Sequence, residues 1–295
     1  MQRARIGIIG CGVIGQHHIR HSSEAEHIEL TAIADLRKEI VHETAEKYEV
    51  GSVHLDAESL IEDPNVDGVV LAMPANVRCE LGVQVFAAGK HLLTEKPVAR
   101  NLGEVDRLIA AQGDRIGAVC SSRYQFPPST KAAADVVASG KLGKIREIHC
   151  RAIGGVGPKR ENWEPPIWRV SHELNGGGIM SNWGVYDLDY LLTLTGWSVK
   201  PRRVLAKVWP IAEHLASGRV HPDSDAECHV SALVQCEDDL VIQYERAESA
   251  ALQSQMTWQI VGTQGSLRLN LLGGPDSEVT LDLTYRIDRA NWSPV

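Results

Sequence analysis

Gly10, Gly12 and Gly15 form a G-x-G-x-x-G turn directly after the apolar run that opens at Ile6, and Asp35 closes a second apolar run about twenty positions later. A strand, a glycine turn, a helix start and an acid at that distance are the parts of a dinucleotide site. Gly10 permits the tight turn. Gly12 lets the backbone approach a pyrophosphate with no Cβ in the way, and Gly15 lets the helix pack closely on the sheet. The helix that starts at Val13 and Ile14 aims its first N–H groups at the same anion. Asp35 accepts hydrogen bonds from ribose hydroxyls and repels a 2′-phosphate, so NAD is favoured over NADP. Arg37 works against that preference, because a guanidinium two residues on is able to pair with a phosphate or stack on adenine.

A second group is Thr94-Glu95-Lys96-Pro97, placed after the apolar pair Leu92 and Leu93 at the carboxyl end of an expected strand. That rim is where ligands bind in open parallel sheets. A lysine before proline has a restricted backbone, open to a cis Lys96–Pro97 bond, so its ammonium is aimed; an ordinary surface lysine is the plain alternative. A third group follows Gly176, Gly177 and Gly178, where Asn182, Tyr186 and Asp189 are spaced i, i+4, i+7 on an expected helix and share one face. The alternative there is an amphipathic core helix with Tyr186 as a packed aromatic. Trp163 and Trp168 offer apolar faces to a sugar ring or fill a core. Arg123, Arg169 and His172 are substrate contacts or structural donors, and His172 is a reserve proton carrier. No HExxH or G-x-S-x-G pattern occurs and no cluster has metal-ligand spacing, so no metal is expected.

The elements that must hold these groups alternate in the first half. Strand-like runs near 4–9, 28–34, 67–72, 90–94 and 115–120 are interleaved with helix-like stretches near 13–23, 36–48, 77–89 and 102–113, which predicts a parallel sheet with helices on both faces. Beyond residue 122 the character changes, and all seven tryptophans fall there. A helix near 128–139 precedes strand-like runs near 145–154, 203–210, 227–236, 239–247, 256–261 and 266–271. The expectation is an α/β chain: a Rossmann domain over residues 1–122 and an α+β domain with a large, mostly antiparallel sheet over residues 123–295.

The 295 residues suffice for two domains, and 43% hydrophobic with 23% charged content is ordinary for a globular protein. A net charge of −8 argues against nucleic acid as a partner, since phosphate backbones need a basic face. The six cysteines are scattered with no CxxC pair, which fits reduced thiols in a cytoplasmic protein. Arg3 and Arg5 before an apolar run mimic a secretory leader, but that run holds the fingerprint glycines and leads into Gln16-His17-His18, with no small-residue cleavage site. No segment is long enough to span a membrane, so no membrane partner is expected.

In combination these features resemble the Gfo/Idh/MocA oxidoreductase family. The resemblance covers nearly the whole chain: the glycine turn with Asp35, the strand end at Pro74, Gly89-Lys90-His91 before Glu95-Lys96-Pro97, the Ser139-to-Gly143 turn, Trp168-Arg169 ahead of the triple glycine, and the Gly262-to-Gly265 turn. It implies a Rossmann domain joined to a domain whose open sheet mediates oligomer contacts, hence a homo-oligomer, dimer or tetramer. It places Lys96 near the nicotinamide and the substrate hydroxyl, with Glu95 and Pro74 in the cofactor site. Members commonly carry Asp-x-Gly-x-His-x-x-Asp on the glycine-led helix; here Asn182 replaces the first acid and Tyr186 the histidine, while Gly184 and Asp189 match. A tyrosine there looks like glucose-fructose oxidoreductase and dihydrodiol-type dehydrogenases. Arg78 stands where many members have histidine, facing the cofactor or an acidic substrate. The chain ends sooner than many members, so a C-terminal tail is expected to be missing.

The expected activity is NAD(P)-dependent hydride transfer to or from a hydroxyl-bearing carbon of a sugar, polyol or related small molecule. Tyr186 carries the proton and Lys96 is the electrostatic partner that makes a phenol with an ordinary pKa near 10 a usable base. Two other readings stay open: a dinucleotide-binding sensor without turnover, and a reductase of a non-sugar carbonyl or imine.

Overall fold

A computed structural model describes residues 3–155, 167, 171–210, 223–271 and 279–283. Trp163, Trp168 and Arg169 lie outside these residues. The chain divides into two compact units, residues 1–120 with 173–176, and residues 121–172 with 177–295.

The first unit holds six strands: β1 (Ala4–Ile9), β2 (Ile28–Ala34), β3 (Ser52–His54), β4 (Gly68–Leu71), β5 (His91–Thr94) and β6 (Gly117–Val119). They form one sheet in the order β3-β2-β1-β4-β5-β6, and every pairing is parallel. The order reverses between β1 and β4, which opens a crevice beyond their carboxyl ends. The connecting helices are α1 (Val13–Glu24), α2 (Lys38–Tyr48), α3 (Ala57–Glu62), α4 (Ala75–Ala87) and α5 (Leu102–Gln112). Two apolar clusters sandwich the sheet, one containing Ile8, Ile19, Ile33 and Val41, the other Leu60, Leu71, Val85 and Phe86. Short polar signals close the helices: Asp56 accepts from Ser59 N–H at the start of α3, and Asn101 from Glu104 N–H at the start of α5. β3 and α3 were not expected from sequence, being too short to show a period.

The second unit contains α6 (Pro128–Ala138), α8 (Val185–Leu194) and seven strands: β7 (Ile145–Gly155), β8 (Pro201–Trp209), β9 (His229–Cys236), β10 (Val241–Ala250), β11 (Gln255–Gly262), β12 (Gly265–Leu269) and β13 (Thr280–Leu283); the short α7 (His172–Asn175) belongs, from Glu173 on, to the first unit. The strand order is β13-β12-β11-β7-β10-β9-β8. All pairings are antiparallel except β7 with β10, so the sheet is mixed and mostly antiparallel. Alternation along the strands turns Ile148, Cys150, Ile242, Tyr244, Trp258 and Ile260 to one face, where they join Ala133, Tyr186, Tyr190, Leu191 and Leu194 in a single core. Arg151, Ser231, Leu233 and Gln243 are exposed, which follows from the two-residue period of a strand with one covered face.

Candidate active site

The glycine turn is built as its spacing requires. Gly10 has φ +99°, and a Cβ there would sit 2.5 Å from the Ala72 carbonyl oxygen. A Cβ on Gly15 would collide with the carbonyl of Gly10. Gly12 differs: the nearest atom to its Cβ position is an Arg37 guanidinium nitrogen at 4.0 Å, so the backbone surface there is open to an approaching group. Gly12 leads into α1 with no side-chain cap, and Val13 is 79% exposed. The first-turn N–H groups have no partner within the helix. An open glycine backbone beside a helix N-terminus fits a pyrophosphate.

Asp35 faces this turn. Its Oδ2 accepts from Cys11 N–H at 2.8 Å, and Arg37 closes a fork on it, Nε to Oδ1 at 2.9 Å and Nη2 to Oδ2 at 2.8 Å. Burial alone would raise this carboxyl, but the Arg37 and Cys11 donors outweigh it and hold it below the usual carboxylate range. Arg37, expected to pair with a phosphate or stack on adenine, is engaged with Asp35 here. Leu36, 85% exposed between them, was missed by that reading and presents an apolar surface beside the acid.

The Glu95-Lys96-Pro97 segment leaves β5 with a cis Lys96–Pro97 bond. Arg78, on α4 just past Pro74, is 4% exposed. Its Nε donates to the Met73 carbonyl at 2.6 Å and its Nη1 to the carbonyls of Glu95, at 2.7 Å, and Pro97. A buried cation tied to carbonyls on either side of Lys96 fixes the backbone that carries the ammonium. By its position Arg78 is expected to contact the cofactor or an acidic substrate; these bonds are to the chain itself. Glu95 accepts from His18 Nε2 at 3.0 Å and from Lys96 N–H at 3.1 Å. Burial pushes its carboxyl up, yet His18 and Lys96 hold it below the ordinary range. His18 was missed, because nothing local links residue 18 to residue 95.

In the second unit the glycine-led segment is not a regular helix from its start. Met180–Gly184 form a π-turn that continues as α8. The carboxylate of Glu227 accepts from Gly178 N–H at 2.9 Å and Met180 N–H at 3.2 Å, and its carbonyl from Ile179 N–H at 2.8 Å. An acid bonded to the opening amides of a helical segment complements its dipole. His172 lies beside this acid, its Nε2 3.6 Å from Glu227.

Tyr186 is 3% exposed and belongs to the core face of α8. Its ring meets Tyr124 edge-on at 5.3 Å and Trp183 at 5.6 Å, and the Arg123 guanidinium lies over it, 4.3 Å from the ring centre. Asn182 is buried on the preceding turn. Asp189 accepts from Gln125 Nε2 at 2.8 Å and Ser121 Oγ at 3.4 Å, tying down the 3-10 segment that carries Arg123 and Tyr124. Arg123, Tyr186, Asn182 and Asp189 are thus held in one unit, while Gly10 to Gly15, Asp35, Pro74, Arg78, Glu95 and Lys96 belong to the other.

Asp187, missed as a site residue, is fully buried and fixes the rotation of α8. It accepts from Tyr244 Oη at 2.9 Å and Trp258 Nε1 at 3.0 Å, with Arg246 Nη1 at 3.5 Å. Burial pushes its carboxyl up against the pull of Arg246, Trp258 and Tyr244. Arg246 also lies over the Trp183 indole, 4.8 Å from its centre.

Residues 4–120 match the family described as "Oxidoreductase family, NAD-binding Rossmann fold", and residues 130–268 match the "GFO/IDH/MocA C-terminal domain". The chain belongs to the Gfo/Idh/MocA oxidoreductase family. It is 32% identical over 200 residues to a myo-inositol 2-dehydrogenase of Thermotoga maritima, a match covering 66% of this chain and 56% of that enzyme. The chain thus spans little more than half the length of that relative. It is 24% identical over 297 residues to a levoglucosan dehydrogenase of Pseudarthrobacter phenanthrenivorans, covering 92% of this chain and 74% of the other. The solved structure of a levoglucosan dehydrogenase in complex with NADH and levoglucosan has the same fold, with a TM-score of 0.85 at 22% identity over 100% of this chain and 80% of that one.

Proposed function

We propose that this family member is an NAD-dependent dehydrogenase that moves a hydride between nicotinamide and a hydroxyl-bearing carbon of a sugar or polyol. The observation that carries the reading is the way Arg78 and Glu95 grip the backbone on both sides of Lys96, at the carboxyl end of β5, in the same unit as the open glycine turn. A surface lysine needs no such support; an ammonium that must meet a developing negative charge does. The names of the inositol and levoglucosan dehydrogenases support the substrate class.

In this reading the 1–122 domain holds NAD through Gly12, the amides of Val13 and Ile14, and Asp35. Bound NAD supplies the hydride acceptor. Lys96 donates to the reacting oxygen, and Tyr186 takes the hydroxyl proton. Arg123 over the Tyr186 ring assists by favouring the phenolate form that accepts this proton. Asn182 and His172 contact the substrate from the 123–295 domain, whose exposed sheet face pairs with a second copy.

The test follows NADH absorbance with wild-type protein, Lys96→Ala and Tyr186→Phe against a panel of inositols, aldoses and anhydrosugars. Turnover by the wild type on at least one polyol or sugar is expected. A loss of about a hundredfold or more is expected in each variant, the scale of removing one preorganised charge donor or general base. NAD binding with no absorbance change across the panel would establish a sensor. Activity only with NADH and a carbonyl or imine would establish the reductase.

A further inference from the structure

Three donor atoms from distant parts of the sequence converge beside the Lys96 segment. His18 comes from α1, Glu95 from the residue after β5, and Cys120 from the residue after β6. β5 and β6 are parallel neighbours, so Glu95 and Cys120 leave the same edge of the sheet side by side. Glu95 Oε1 is 3.0 Å from His18 Nε2, and Cys120 Sγ is 4.0 Å from that same nitrogen. All three donor atoms lie within 4.8 Å of one another.

The geometry separates two uses of such a trio. In a nucleophile relay the carboxylate holds one imidazole nitrogen and the thiol faces the other. Here both face Nε2, so the imidazole cannot pass a proton from thiol to acid through its ring. Convergence of a nitrogen, a carboxylate oxygen and a sulfur on one point is instead the arrangement of metal ligands. Bonds of about 2.0–2.3 Å in a tetrahedral site put neighbouring ligand atoms roughly 3.5 Å apart, between the two separations seen. We propose that His18 Nε2, Glu95 Oε1 and Cys120 Sγ bind one tetrahedral transition-metal ion of the zinc class, with the fourth position open.

The donor set suits that class: an imidazole and a thiolate select zinc-like ions over magnesium or calcium. Cys120 is the one cysteine of the six that is not buried. Burial pushes the other thiols up, Cys11 to about 12 and Cys228 to about 11, so they are poor competitors for metal. Binding releases the thiol proton and replaces the His18–Glu95 hydrogen bond with two metal bonds. It also sets a divalent charge one residue from Lys96. If the proposed dehydrogenase reading holds, metal occupancy therefore opposes turnover; the binding itself does not depend on that reading.

The test titrates the full-length chain with cobalt(II) under reducing conditions and records the thiolate-to-cobalt charge-transfer band and the tetrahedral d–d bands. One equivalent should bind with both signatures, and zinc should displace it. Cys120→Ser should lose the charge-transfer band, and His18→Gln should keep it while binding at least about a hundredfold more weakly, beyond the effect of losing only an outer partner of a ligand. An octahedral spectrum with no thiolate band, or a band that survives in Cys120→Ser, would overturn the site. If circular dichroism shows that Cys120→Ser does not fold, unchanged cobalt affinity in His18→Gln overturns it equally.

Discussion

At the scale of single residues, the pair Asp35 and Arg37 decides more than either alone. An isolated acid at the end of β2 would reject a 2′-phosphate by charge, and an isolated guanidinium would invite it. The observed fork ties the two together, with Arg37 spending Nε, Nη2 and its backbone N–H on the carboxylate. Arg37 is therefore held as the partner of Asp35, and the acid stays ionised and oriented by Cys11 N–H. NAD should bind more tightly than NADP, and Asp35→Ala should narrow or reverse the difference, because it removes the repulsive element and releases a guanidinium in the same place. Calorimetric titration with both cofactors checks this. Equal affinities in the wild type would mean that the paired guanidinium still receives the phosphate.

At the scale of elements, what was legible in the sequence is what is periodic or repeated within a few residues. The glycine spacing, the alternating βα units and the strand ends at Asp35 and Glu95 are local patterns, so the Rossmann half follows from them. Partners that meet only through the fold were not legible: His18 with Glu95, Arg78 with the carbonyls beside Lys96, Glu227 with the Gly178 turn, Asp187 with Trp258. Lys90 makes the same point from the other side. A motif residue, it donates from a buried position to the carbonyls of Asp63 and Val66, which joins the turn before β5 to the loop before β4. The spacing predicts a plain helix at the start of α8; the observed π-turn follows Gly178, whose close approach to the Glu227 backbone joins segments far apart in the sequence. A Cβ on Gly178 would collide with the Glu227 carbonyl, whereas on Gly103, in α5, the nearest atom would be Asn101 Oδ1 at 3.4 Å. Gly178→Ala should therefore cost about 1–3 kcal/mol, as overpacking does, while Gly103→Ala should be neutral or stabilising by up to about 1 kcal/mol from the gain in helix propensity. Denaturant midpoints of the two variants provide the comparison, and a Gly178→Ala as stable as wild type would show that the turn tolerates displacement.

At the scale of the whole molecule, the second sheet has one face in a core and, among the described residues, an edge that is not covered. β8 is exposed along its length, with Leu205 at 77%, and Leu205 sits directly opposite Leu233, 47% exposed, on β9. A cross-strand pair of leucines on an exposed face, beside an edge strand that also bares Val204, Val208 and Trp209, is apolar surface of the kind that marks association. Charge works against that contact, because each copy brings a net −8. Association through this face should therefore strengthen when salt screens the repulsion, the opposite of an interface built on ion pairs. Light scattering on the wild type should report a dimer or tetramer whose dissociation constant falls between low salt and about 0.5 M, where the screening length drops below roughly 5 Å. Leu205→Asp with Leu233→Asp places two charges in the middle of the apolar pair and should yield a monomer with unchanged circular dichroism, since neither side chain belongs to the core. A wild type that stays monomeric at every salt concentration would leave this face without a partner of its own kind, and a double variant that still assembles would move the contact elsewhere on the molecule.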